Sequence, residues 1–298
     1  MPAIVFPLIA VVIWAGNNLV GKLSVDVISP AAIAFYRWLL AAILLTPFML
    51  PSVWKLRHFV LRNLFKFSLL AILGVVAFQS LGYVAAASTS ATHMGLIGAT
   101  VPLLTLLISL IVLREAPTLG AMLGAALSFI GLAILLSGGH LSNLTRDGIN
   151  QGDLLMLIGA TAYALYGVLI RHWQIPMSVW QSLYVQILLG LLWLMPAVLM
   201  SPSMAISESA LPLVLYAGIA SSVVAPFCWM SGIQKLGASN NAIFMNLIPL
   251  FTTASAVAIL GEKLHSGHLV GGLLIISGVM LSQWLRQPLR LFTRRPTA

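Results

Sequence analysis

Acidic residues are scarce in this chain: six Asp and Glu among 298 residues, against 15 Lys and Arg. Charged residues of both signs make up only 7% of the sequence. A soluble domain usually carries about 25%, so so few charges cannot cover a water-facing surface. Cysteine is nearly absent as well. Cys228 is the single one, which excludes an intrachain disulfide framework and any C-x-x-C metal or redox motif. Its surroundings are apolar, as for a small core hydrophobe. The six carboxylates (Asp26, Glu115, Asp147, Asp153, Glu208 and Glu262) all fall in loops or at the ends of apolar runs. No intramembrane Asp or Glu relay of the kind used by many proton-coupled carriers is evident. Motifs of the H-E-x-x-H, G-x-S-x-G or phosphate-loop type are missing too. His265 and His268 lie near Glu262 but lack a clear further ligand. The chain therefore reads as neither an enzyme nor a metal protein, and no cofactor is expected.

What is abundant is apolar sequence: 60% hydrophobic residues with a mean hydropathy of +1.04. Ten runs approach the ~20 residues needed to cross a bilayer: roughly 3–22, 30–50, 66–87, 92–113, 117–138, 152–171, 177–200, 211–233, 238–260 and 267–286. The expected fold is an all-α membrane protein. The net charge of +9 does not indicate nucleic acid, because the basic residues gather between spans and in the C-terminal tail. With the N-terminus cytoplasmic, eleven Lys and Arg fall inside and three (Lys22, Arg146 and Lys263) outside. Both termini are thus predicted inside. The N-terminus lacks the basic region of a cleavable signal peptide.

One pattern occurs twice, 147 residues apart. Pro102, Leu103, Thr105, Leu113, Glu115, Gly120, Gly124 and Gly131 return as Pro249, Leu250, Thr252, Leu260, Glu262, Gly267, Gly271 and Gly278. A weaker echo at an offset of 149 pairs Trp14 with Tyr163 and Pro47 with Pro196. Each half holds five spans, an odd number, so the second half must enter the membrane from the opposite face. The result is two inverted five-helix repeats, a hallmark of secondary transporters. The expected organisation is a first repeat at 1–139, a periplasmic linker at 140–151, a second repeat at 152–287 and a basic cytoplasmic tail at 288–298.

Two five-helix halves, a proline opening the core of each fourth span, a Glu before a Gly-rich fifth span and the Arg37-Trp38 stretch together resemble the EamA repeats of the drug/metabolite transporter superfamily. The resemblance covers nearly the whole chain. In general character, including Trp14-Ala-Gly-Asn-Asn18, the chain is most similar to YddG-type bacterial exporters of amino acids, especially aromatic ones. The resemblance implies a multi-pass protein of the bacterial inner membrane. It would export amino acids, aromatic or otherwise neutral, by alternating access. The scarcity of intramembrane acids favours facilitated diffusion. The alternative cargo is drugs or toxic organic cations, with or without proton coupling. The expected partners are a small-molecule substrate and the lipid bilayer, with no nucleic acid; the protein would be a monomer or homodimer.

In inverted-repeat carriers the substrate sits near the midplane between the halves, and polar groups within spans face the bundle interior. That selects Trp14, Asn17, Asn18, Gln79, Tyr83, Tyr163, Tyr166 and Asn246 as substrate-binding candidates, with Gln186 a weaker one. Trp14 and Tyr163 would place an aromatic on each side of a cavity. Amides can bond a carboxylate or an amine, although Asn and Gln also bond between helices for packing alone. Arg37, His93, Glu115 and Glu262 are gate or pathway candidates. Arg37 either snorkels outward or attracts an anionic group. His93 either titrates or rests in an interfacial hydrogen bond. Each Glu either caps the following helix or closes a gate. The twin Gly-x-x-x-Gly pairs suit close helix packing, within the chain or in a dimer. Pro102 and Pro249 would bend their helices, as scaffold or as hinge.

Overall fold

The computed structural model describes residues 2–24, 27–85, 88–89, 91–137, 150–201, 203–260 and 266–285. For some helical residues, Gln79, Tyr83 and His93 among them, only the backbone is described. Glu262, the 140–149 connection and the basic tail lie outside the described residues.

The regular elements are helical throughout. The first half runs α1 (Val5–Leu23), α2 (Pro30–Lys55), the short α3 (Arg57–Arg62), α4 (Leu64–Ala71), a π segment (Ile72–Ala77), α5 (Phe78–Ala85), α6 (Ala91–Gly98), α7 (Val101–Val112) and α8 (Leu119–Leu136). The second half runs α9 (Gln151–Trp173), α10 (Val179–Leu199), α11 (Leu211–Ile219), a π segment (Ala220–Val224), α12 (Ala225–Leu236), α13 (Ala238–Ala242), a 3-10 turn (Ile243–Asn246), α14 (Leu247–Leu260) and α15 (Ser266–Trp284). Seven helical runs are long and apolar enough to cross a membrane, and Val5–Gly21 and Leu64–Ala77 are shorter apolar ones. Together with the α13–α14 run they form the ten-span, two-repeat fold.

Local chemistry sets the helix starts. Ser29 accepts from the Ala32 N–H at 3.2 Å, with Pro30 in the first turn, where a missing N–H costs nothing. Asn150 with Asp153, and Ser178 with Gln181, form reciprocal capping boxes at α9 and α10. At α8 the cap is Thr118, whose hydroxyl accepts from the Ala121 N–H at 3.1 Å. The capping role considered for Glu115 is corrected by this: Glu115 lies three residues earlier, in the irregular 114–117 connection.

The halves are related by structure as well as sequence. α1 packs on α14 and α12, as α9 packs on α7 and α5; α2 packs on α11, as α10 packs on α4. The two contacts lying on the pseudo-two-fold axis are α2 with α10 and α8 with α15. The irregularities repeat too. The third and eighth spans each contain a π segment, and the fourth and ninth are each interrupted, at Ala99–Thr100 and at Ile243–Asn246. Pro102 stands second in α7 and Pro249 third in α14. Each stands just after the irregular turn in its span. There each lies in the first turn of the segment that follows, where a missing N–H costs little.

The α8–α15 pair is built on glycine. A Cβ on Gly131 would stand 2.7 Å from the Gly271 carbonyl oxygen, and one on Gly278 would meet the Gly124 carbonyl at 2.5 Å. Ser128 donates to the Ile275 carbonyl at 3.2 Å, fully buried, and Ile275 is its own repeat counterpart 147 residues on. In lipid, where burial of apolar surface gives helices little reason to associate, such close backbone approach supplies the adhesion. Gly120 and Gly124 thus pack against α15 at Gly278–Leu285, and Gly271 packs against α8 at Gly131 and Leu135, all within one chain.

Candidate functional site

An aromatic cluster joins the halves. Trp14 of α1 meets Tyr163 of α9 edge-on at 6.3 Å between ring centroids and Trp229 of α12 at 5.2 Å. Tyr163 also contacts Phe78 (5.1 Å), Tyr166 (5.7 Å) and Trp229 (6.2 Å). The sequence expectation put Trp14 and Tyr163 on opposite sides of a cavity. The rings instead meet edge-on, because α12 packs against both α1 and α9 and brings Trp229 against both rings. Phe78 and Trp229 were not singled out from the sequence. Both lie in apolar helices, and nothing but their neighbours marks them.

Glycine makes room for two of the tyrosines. A Cβ on Gly74, in the first π segment, would fall 2.6–2.8 Å from three atoms of the Tyr166 ring. Gly16 leaves space for the Tyr216 hydroxyl, which donates to the Ile13 carbonyl at 3.0 Å.

Arg37 does not snorkel. It is 2% exposed, and its guanidinium reaches into the second π segment. Nε donates to Ser222 Oγ at 2.7 Å, and Nη2 to Ser221 Oγ at 3.2 Å and the Ser221 carbonyl at 3.4 Å. Ser222 Oγ in turn donates to the Ala217 carbonyl at 2.8 Å. A π segment shifts backbone hydrogen bonds out of register, and the serine hydroxyls and the arginine satisfy the groups so freed. Trp14 Nε1 donates to that same Ser221 carbonyl at 3.4 Å, so the arginine and the aromatic cluster share one acceptor. At the offset of 149 that relates the first two spans of each half, Arg37 corresponds to Gln186. Gln186 is fully buried, donates to Ser182 Oγ at 3.1 Å and leaves its own carbonyl oxygen unpaired.

The amides divide into two kinds. Asn18 donates to Thr252 Oγ1 at 3.2 Å, tying α1 to α14. Asn17 Oδ1 is buried without a hydrogen-bond partner, and so are both amide atoms of Asn246, which is 1% exposed. The 3-10 turn that ends in Asn246 touches α1. Buried unsatisfied amides cost about 1–3 kcal/mol each, so such atoms suit a ligand that completes them. The side chains of Gln79, Tyr83 and His93 lie outside the described residues, as does Glu262.

Glu115 finds its partner across the halves. Arg171 Nε lies 3.7 Å from Glu115 Oε1, with the two side chains 33% and 51% exposed. Arg171 also donates to the Gln234 carbonyl at 3.5 Å. Lys66 lies over the Trp173 ring and Lys235 over Phe6. Those contacts gather basic residues of α4, α9 and α12 at one end of the bundle.

This architecture matches known proteins throughout its length. Residues 1–137 and 150–284 match the model of the EamA-like transporter family. The chain belongs to that family. Among its relatives, this EamA-like transporter is 28% identical over 264 residues to the uncharacterized transporter YyaM of Bacillus subtilis (strain 168), covering 87% of this chain and 86% of that one. It is 26% identical over 301 residues to protein PecM of Dickeya dadantii (strain 3937), covering 97% and 94%. A crystal structure superposes with a TM-score of 0.78 at 17% identity, covering 96% of this chain and 99% of that chain, which shows the shared fold. The EamA-like transporter is therefore a multi-pass membrane protein that carries a small molecule across a lipid bilayer.

Proposed function

We propose that this transporter exports neutral, chiefly aromatic, amino acids from the cytoplasm across the bacterial inner membrane. The observation that carries this reading is the Trp14–Tyr163–Trp229 cluster between the halves, with a buried guanidinium on one side and unsatisfied amides in the segments beside it. Aromatic edges and faces receive an aromatic side chain. Arg37 supplies positive potential toward a carboxylate, and Asn17 and Asn246 offer hydrogen bonds to the polar head.

Transport proceeds by alternating access, one five-helix half rocking against the other with α8 and α15 as the fixed seam. The basic end that holds Lys66, Arg171 and Lys235 faces the cytoplasm, following the distribution of Lys and Arg. Facilitated diffusion is the mechanism, since the described acids stand at helix starts (Asp153, Glu208) or in a connection (Glu115). The cluster's π faces would also hold an organic cation. The guanidinium of Arg37, hydrogen-bonded to the same carbonyl as Trp14, opposes a second positive charge and favours the amino-acid reading.

Counterflow of a panel of radiolabelled amino acids in proteoliposomes tests the proposal. Phenylalanine, tyrosine and tryptophan should exchange, Trp14→Ala should abolish exchange, and downhill efflux should persist with the proton gradient collapsed. Exchange of quaternary ammonium compounds with no exchange of amino acids would overturn it.

A further inference from the structure

A cavity of about 480 Å³ opens away from the aromatic cluster, where α7 and α9 end. Its wall is charged with both signs: Arg114 and Glu115 come from the first half, Arg171 and His172 from the second, with Gln174 beside them. The Glu115–Arg171 contact at 3.7 Å crosses the gap between the halves. Glu115 is exposed and Arg171 partly so, so the pair is weak and exchanges readily for other partners. Among the described residues, Arg114 (φ 55°) and Gln174 (φ 38°) are the non-glycine residues with left-handed backbone, and both stand in this wall.

The chemistry fits a molecule carrying a positive and a negative group close together. Two guanidiniums present donor forks for a carboxylate. Glu115 and the open carbonyls at the ends of α7 and α9 receive an ammonium. A simple cation or a simple anion would satisfy half of this set and oppose the rest. The position fits as well. From Arg171, α9 continues to Tyr166 and Tyr163, five and eight residues away, or ~7.5 and ~12 Å of helix rise.

Resting on the amino-acid reading above, we propose that this cavity is a loading vestibule for the zwitterionic head of an α-amino acid. The carboxylate lies on Arg114 and Arg171 and the ammonium on Glu115. Each charge of the bound molecule replaces one side of the Glu115–Arg171 pair. Loading therefore releases the contact that spans the halves and frees the way toward the cluster.

The test uses the full chain in nanodiscs with His172→Cys as a reporter, labelled by a membrane-impermeant maleimide. Cys228 is buried, so the parent protein gives the background rate. Saturating phenylalanine should slow labelling at least threefold. Phenethylamine, which lacks the carboxylate, and 3-phenylpropionate, which lacks the amine, should protect far less. Protection should vanish with Arg114→Gln or Arg171→Gln, survive in part with Arg171→Lys, and persist with Trp14→Ala, which disables the cluster. Monodisperse elution of each variant checks folding, and the Lys variant decides the matter if a Gln variant aggregates. Phenylalanine counterflow is measured on the reporter protein in parallel. Counterflow without protection overturns the vestibule and leaves the amino-acid carrier standing. Protection without counterflow supports the vestibule and overturns the carrier reading. Equal protection by phenethylamine, or protection lost with Trp14→Ala, overturns the zwitterion site.

Discussion

Trp14 and Arg37 donate to the same atom, the Ser221 carbonyl oxygen, each at 3.4 Å. That oxygen lies in the π segment of the eighth span, so the aromatic cluster and the buried charge are registered against one irregular turn. Arg37→Gln keeps hydrogen bonding but removes the charge. Hydrogen bonds to charged groups contribute about 1.5–3 kcal/mol. Amino-acid counterflow should therefore fall about tenfold or more, with a shift in tryptophan emission. Arg37→Lys should not restore transport, because an ammonium lacks the planar fork that reaches Ser221 and Ser222 together. Wild-type counterflow in Arg37→Gln would remove Arg37 from the pathway.

Asn246 offers a test in which stability and transport move in opposite directions. Both of its amide atoms are buried and unpaired, so Asn246→Leu removes a desolvation cost of about 1–3 kcal/mol. The melting temperature in detergent should stay level or rise while transport is lost. A fall in both would make Asn246 a structural residue.

Gly74 and Tyr166 should behave as a coupled pair. Gly74→Ala drives a Cβ into a buried ring and should cost about 1–3 kcal/mol of stability along with transport. Tyr166→Leu should relieve part of that cost in the double variant, a non-additivity read from a double-mutant cycle on the melting transition. Simple additivity would place the strain elsewhere.

At the α8–α15 seam, Gly124→Ala and Gly278→Ala each set a Cβ against a backbone carbonyl that cannot rotate away. Each should lower stability by about 1–3 kcal/mol. An unchanged melting temperature would show that the seam can part without loss.

The Glu115–Arg171 pair should contribute little to stability, about 0–1 kcal/mol for an exposed ion pair. Glu115→Gln should leave the melting temperature within a degree or two and alter transport kinetics. A large stability loss would make the pair a structural lock.

Much of the fold was legible in the sequence because lipid imposes length and polarity rules on each span separately. The 147-residue echo of Pro, Glu and Gly located the repeats, and Gly124 and Gly131 marked the seam. The same echo gave no hint that the fourth and ninth spans break. Pro102 and Pro249 looked like kinks within helices; the first-turn position of each depends on where the preceding segment stops. At the site, Trp14, Tyr163 and Tyr166 could be chosen as polar-tipped aromatics within spans. Trp229, which has the same polar tip, and Phe78 did not stand out, since an aromatic within a span carries no mark of the neighbour it meets.

The sequence by itself determined a membrane protein of two inverted five-helix halves, because apolar run length, an odd span number and the spacing of the repeat are properties of the chain alone. Only the tertiary structure decided that Arg37 turns inward onto Ser221 and Ser222, that Glu115 pairs with Arg171 and that Trp14 touches Tyr163. Those are contacts between residues far apart in the chain, fixed by how two halves related by a pseudo-two-fold axis pack and by the π segments within their third and eighth spans.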